Sequence, residues 1–152
     1  MKEQQAKVQD FMMKHNGLID AEEATGTIDS VDFIAREMRS WSRFWLEKAL
    51  VLAKKKDPRL LRATLMVEEL AELLDAMSNQ SFLKVADGIA DLLYVVLGTS
   101  ECYNMEAEDL FEEVHRSNMT KQVSTDIRVR DKGPHHVAPD LAGILKKWGF
   151  SV

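Results

Sequence analysis

Apolar positions recur three and four residues apart along most of the chain, the spacing of one buried face on a helix. Strand-like alternation is confined to the short stretch TDIRVR, residues 125–130. The pattern predicts an all-α protein, a bundle of five to six helices in a single domain spanning residues 1–152. A first helix runs from about Lys2 to His15 and stops at HNG. A second, near residues 30–56 with a cap at Asp29 or Ser30, carries Phe33, Trp41, Phe44, Trp45, Leu46 and Leu50 on more than one face. The run KKKDPRL ends that helix and starts the third, with Asp57 as the expected cap and Pro58 in the first turn. SNQS separates the third helix, ending near Met77, from a fourth over roughly Phe82 to Tyr103. So short a link makes the two antiparallel neighbours. A fifth helix spans about Ala107 to Asn118, an irregular tail covers 119–140, and Pro139 opens a short last helix that ends near KKWG.

The third and fourth helices hold the unexpected residues. VEELAELLDAM, residues 67–77, sets Glu68, Glu69, Glu72 and Asp75 into an apolar segment with no base among them. Alone, such a stripe is most simply a solvated face. The fourth helix, VADGIADLLYVVLGT, changes that reading. It is apolar on nearly every side, as expected of a buried central helix, yet it carries Asp87 and Asp91 four residues apart, with Tyr94 following. Lys84 is placed to pair with Asp87, while Asp91 has no local base. Gly88 in mid-helix weakens the helix by about 1 kcal/mol and signals a close approach. Antiparallel packing would set Glu68, Glu69 and Glu72 opposite Asp87 and Asp91. So many carboxylates repel one another unless cations sit between them. An all-oxygen set is what Mg²⁺ takes, and Mn²⁺ accepts the same ligands.

Composition narrows the partners. The single cysteine, Cys102, can form no internal disulfide, and MKEQQAKVQD lacks the apolar core of a secretory leader. No apolar run is long enough to span a bilayer. The expectation is a cytoplasmic protein without a membrane partner. A net charge of −5 argues against nucleic acid as a partner but not against a small anion accompanied by metal ions.

EELAE, then DGIADLLYVVLGT, then EVHRSNMTK, in that order, resembles the MazG-like all-α NTP pyrophosphohydrolase superfamily, which includes dimeric dUTPases and phosphoribosyl-ATP pyrophosphohydrolases. The motif-bearing part is residues 58–121, with a weaker echo in KGPHHVAPDL. By position, Glu68, Glu69 and Glu72 match the EExxE element and Asp91 the final acid of the second element. Many members carry a glutamate where this chain has Gly88; here Asp87, one residue earlier, offers the carboxylate.

The resemblance implies hydrolysis of a nucleoside triphosphate between the α- and β-phosphates, with one or more Mg²⁺ ions and Mn²⁺ able to substitute. Glu69, Glu72 and Asp91 are the expected metal ligands, joined by Asp87, and Glu68 with Glu69 the expected catalytic carboxylates. Asn118 and Lys121 are candidates for substrate binding, as are Tyr94, Lys132 and Lys84. Nothing in the residues reads out the base; a purine deoxynucleotide such as dGTP or dATP is the working preference over dUTP or dCTP. The expected role is nucleotide-pool control in a bacterium, or in the host cytoplasm if the chain is phage-encoded, by a homodimer or homotetramer. Two other classes compete. One is a non-enzymatic helical dimerisation module that uses the Trp-rich second helix. The other is a di-iron carboxylate protein built on Glu112 and His115, which lacks the second E-x-x-H pair such sites need.

Overall fold

The computed structural model describes residues 1–14, 36–37, 40–41, 44, 58–79, 81–122 and 132–152. Among them are five helices and no strand: α1 Lys2–Lys14, α2 Pro58–Ser78, α3 Phe82–Cys102, α4 Ala107–Met119 and α5 Leu141–Lys147. Residues 36, 37, 40, 41 and 44 are helical as well. The expected caps at Asp29, Ser30 and Asp57 and the stretch TDIRVR lie outside the described residues. No helix among those described is long and apolar enough to cross a membrane. The chain forms two compact units, one of Met1–Asp20 with Glu106–Val152, the other Ala21–Met105.

The second unit contains the α2–α3 hairpin. Pro58 stands in the first helical position of α2, where its missing N–H costs nothing. At the far end the Ser81 amide donates to the Ala76 carbonyl and the chain reverses. Two glycines then fix how α3 lies on α2. A Cβ on Gly88 would stand 3.0 Å from the Leu73 Cα, and one on Gly98 would stand 2.6 Å from Nη1 of Arg62. Leu73 thus faces Gly88 and Arg62 faces Gly98, an antiparallel pairing in which α2 numbers fall as α3 numbers rise. Ala71, Ala76, Gly88 and Val95 are the buried residues of the hairpin. α3 ends in a Schellman turn: the Met105 amide donates to Ser100 and that of Asn104 to Glu101, with Asn104 in the left-handed region at φ 56°.

Here the structure corrects the expectation of a buried central helix. Ile89, Leu93, Val96 and Leu97 are all exposed, and Tyr94 is 77 % exposed. Asp91, expected to be buried, is exposed too. Among the described helices of this unit α3 packs on α2 alone.

In the other unit α1 runs parallel to α4, joined by polar links that climb both helices together. Gln4 Nε2 donates to Glu108 Oε1 at 2.8 Å, Lys7 Nζ to Glu112 Oε2 at 2.5 Å, and Lys14 Nζ to the Met119 carbonyl at 2.5 Å. Glu112, and to a lesser degree Glu3, hold the Lys7 ammonium above its ordinary pKa. His115 stacks on Phe111, with ring centroids 6.2 Å apart. Both members of the E-x-x-H pair are therefore engaged in structural contacts within this unit.

The segment before α5 is strapped onto α4. Arg116 grips both oxygens of Glu113 and donates to the Ala138 carbonyl, and the Asp140 amide donates to Glu113 Oε1 at 2.6 Å. Thr120 Oγ1 accepts from the Val137 amide and lies 3.1 Å from His136 Nδ1. The cap of α5 is Asp140, which accepts from the Gly143 amide; Pro139 precedes the cap instead of opening the helix. Gly149, at φ 86°, closes α5 where KKWG indicated.

Two predictions follow from these contacts. Gly88→Val should destabilise the chain by about 1–3 kcal/mol in urea denaturation, because its side chain meets Leu73 backbone. Gly88→Ala should cost less, since the helix-propensity gain of about 1 kcal/mol offsets part of the crowding. The bonds from Arg116 and the Asp140 amide hold the Glu113 carboxyl down to about 2 from an ordinary 4.5. A depressed carboxyl contributes stability above its unfolded pKa and loses it as pH falls through the folded one. The strap should therefore loosen on acidification below about pH 4.5, and the Asp140 amide shift should titrate with a midpoint near 2. Glu113→Gln should abolish that titration.

Candidate active site on the helix hairpin

The register set by the two glycines brings the acidic residues of α2 and α3 together. With Leu73 against Gly88 and Arg62 against Gly98, the residue facing Asp91 is Glu69 or its neighbour Leu70. Glu72 falls one turn toward the connection, beside Gly88. Glu68 and Glu69 are half-buried, whereas Glu72, Asp87 and Asp91 are exposed.

Electrostatics identify Glu69 as the centre of the group. Its pKa is raised above the ordinary glutamate value, first by burial and then by the charges of Glu72, Asp91, Glu68 and Asp87, in that order. Four carboxylates from two helices therefore act on one half-buried carboxylate. Asp75, the fourth acid of the α2 run, is not among those acting on Glu69.

The donor set is carboxylate oxygen throughout, which suits a hard divalent cation, and such an ion would relieve the repulsion at Glu69. Among the described residues no three Asp, Glu, His or Cys side chains are already closed into a metal cage. Binding an ion would thus require these side chains to turn inward. By chemistry and common location the residues fit; ligating geometry is not preformed.

The other expected site residues are placed as follows. Tyr94 lies one turn beyond Asp91 and is largely exposed. Lys84 is exposed and forms no ion pair with Asp87, the pairing its spacing allowed. Asn118 and Lys121 belong to the other compact unit, where Lys121 Nζ donates to Asn118 Oδ1 at 2.6 Å. Lys132 is exposed in the segment before α5 in that same unit. Arg116 is committed to Glu113. His136 bonds Thr120, and His135 is exposed.

One residue on this hairpin escaped the sequence reading. Arg62 stands seven positions before Glu69, hence on the same face of α2. That spacing was readable. What it meets on the other side, Gly98, needed the register.

Residues 47–118 match the phosphoribosyl-ATP pyrophosphohydrolase family. That family lies within the MazG-like all-α NTP pyrophosphohydrolase superfamily, so the resemblance in the motifs holds for this segment. The match covers a little under half of the chain. It takes in all of α2 and α3 and α4 as far as Asn118, and with them the five carboxylates, Lys84 and Tyr94. Lys121 and Lys132 lie beyond it. No curated protein and no solved structure matches the chain.

If like charge crowds Glu69, neutralising a neighbour should relieve it. Glu72→Gln should lower the Glu69 pKa in metal-free protein, followed by carboxyl NMR. It should also raise the metal-free melting temperature by on the order of 2 °C at neutral pH. A raised carboxyl pKa makes folding less favourable as pH rises through it, so the gain should fade in acid.

Proposed function

We propose that the protein is a metal-dependent nucleoside triphosphate pyrophosphohydrolase that converts a deoxynucleoside triphosphate to its monophosphate and pyrophosphate. The family match supports a pyrophosphohydrolase acting on a nucleotide-like substrate. The observation that carries the finer reading is the convergence of Glu68, Glu72, Asp87 and Asp91 on Glu69 within the matched segment. A carboxylate so crowded is a poor structural device and a good cation trap.

On this reading Glu69, Glu72 and Asp91 hold the ion, Mg²⁺ or in its place Mn²⁺, with Asp87 contributing or receiving a second one. When bound, the ion neutralises the phosphates and polarises the scissile group. Glu68, half-buried beside this group, takes the proton from the attacking water as its oxygen bonds to the α-phosphorus. The α–β bridging bond breaks and pyrophosphate leaves. The raised proton affinity of Glu69 makes it the other candidate for that proton. Tyr94 is assigned to the sugar and Lys84, on the same helix, is kept as a substrate-binding candidate; Asn118 and Lys121, which belong to the other compact unit, are assigned to nucleotide held from a neighbouring subunit, with Lys132 a similar candidate. A purine deoxynucleotide such as dGTP or dATP remains the working substrate, and pool control in the bacterial cytoplasm the working role.

Self-association belongs to the same proposal. Phe82, Ile89, Leu93 and Val96 are exposed at helical spacing along α3, an apolar stripe that a second copy of the chain would cover in a homodimer or homotetramer. That stripe alone would equally suit a non-catalytic dimerisation module, but such a module gives no reason for the acids.

The test is a product assay over the common NTPs and dNTPs with Mg²⁺, Mn²⁺ or EDTA. Pyrophosphate and monophosphate should appear from at least one nucleotide, with activity abolished by EDTA and reduced at least a hundredfold by Glu72→Ala or Asp91→Asn, about 2.7 kcal/mol of barrier. Activity that survives EDTA and both substitutions would remove the carboxylates from the chemistry.

A further inference from the structure

The hairpin that gathers five carboxylates also carries a half-buried cation whose placement they do not explain. Arg62 is half-buried, and its guanidinium lies over Gly98 so closely that a single added carbon would collide with Nη1. It makes no hydrogen bond or ion pair with any described residue. A guanidinium has five donors in a planar fork suited to carboxylate or phosphate oxygens. Arginines beside acidic clusters ordinarily pair with them. This one is set apart by a fixed interval.

The interval can be read on both helices. Seven residues separate Arg62 from Glu69 on α2, and seven separate Gly98 from Asp91 on α3. Seven residues are two turns, about 10.5 Å along the axis, with a rotation only about 20° short of two full turns. Arg62 and the carboxylates therefore share one seam, with the cation at the end away from the α2–α3 connection. An ion at the carboxylates would hold the reacting phosphate, and the rest of a polyphosphate must extend from it. Along this seam the guanidinium donors of Arg62, which no described residue takes up, are the complement of that extension. The absence of a Cβ on Gly98 leaves the space in which the guanidinium lies.

Resting on the pyrophosphohydrolase reading above, we infer that Arg62, seated on Gly98, binds the pyrophosphate end of the substrate and of the product. It is a substrate-binding residue, and Gly98 positions it. The bidentate fork would hold the terminal phosphate oxygens while the α–β bond is broken at the carboxylates, and would retain pyrophosphate after the monophosphate has left.

Calorimetric titration of the full chain with pyrophosphate, and separately with the common deoxynucleoside monophosphates, both with Mg²⁺ present, tests the assignment. Arg62→Ala should weaken pyrophosphate binding at least tenfold and leave monophosphate binding within twofold, and Arg62→Lys should fall between. Gly98→Ala is the decisive variant. Its new methyl meets only the far end of a flexible side chain, so the protein should stay folded with an undiminished melting temperature. It should nevertheless lose pyrophosphate affinity by pushing the guanidinium aside. Loss of monophosphate affinity with pyrophosphate binding intact would move Arg62 to the nucleoside end and overturn the assignment. Unchanged affinities accompanied only by a lower melting temperature in Arg62→Ala would make it a packing residue, and wild-type protein that binds no pyrophosphate would also refute the inference. Failure of the underlying reading is a separate result: wild-type chain that binds pyrophosphate yet releases none from any nucleoside triphosphate.

Discussion

The contact on which the acidic hairpin depends is the approach of α3 to α2 at Gly88. With no side chain at that position, the backbone of α3 comes against Leu73, and the register of the pair is set there. A larger residue would push the helices apart or slide them, and the acids of α2 and α3 would no longer share one level of the hairpin. The arrangement runs against the local rules for a stable helix pair: a glycine in a helix interior and like charges across a seam each cost stability. Violations of that kind concentrated at one level of a hairpin are the usual mark of a functional constraint. Elsewhere on the seam the packing is conventional, with Ala71, Ala76 and Val95 buried.

Helix limits were legible because each depends on a local signal. Pro58 in the first turn of α2, the short SNQS link and the glycine after Trp148 all mark ends that the structure places where expected. Burial was not legible in the same way. The apolar content of α3 predicted a helix covered on all sides, but hydrophobicity does not specify which element supplies the cover, and among the described helices of its unit only α2 does. Asp91 was accordingly expected to be buried and is exposed. The same limit applies to side-chain pairs. Lys84 had the spacing to reach Asp87 and does not, because an exposed pair in water gains too little to fix two side chains. The register behind Arg62 required knowing which glycine meets which residue, and no single-helix periodicity contains that.

The other unit shows how little an isolated motif decides. Glu112 and His115 have the spacing of a metal-binding pair, yet Glu112 bonds Lys7 of the neighbouring helix and His115 lies on Phe111. Asn118 and Lys121, candidates for substrate binding by the resemblance, are bonded to each other. That bond holds the Lys121 ammonium beside an amide at the end of α4. An internal bond of this kind is readily exchanged for one to a more highly charged oxygen.

Charge supplies the remaining step. The carboxylates around Glu69 and a polyphosphate are both anionic, so neither tolerates the other without cations between them. Protonation of Glu69 is one answer, and its raised pKa shows that the hairpin already leans that way. A divalent ion is the stronger answer, because it neutralises several carboxylates and phosphate oxygens together. The two compete for the same oxygens, and an occupied site would therefore hold Glu69 deprotonated. In the proposed reaction that competition joins metal loading to the availability of a base. In that reaction the acidic seam itself would act on the phosphates, which every nucleotide shares. Selection among bases has to come from side chains beyond the acidic seam, and a seam so constrained by charge can stay fixed while those side chains vary.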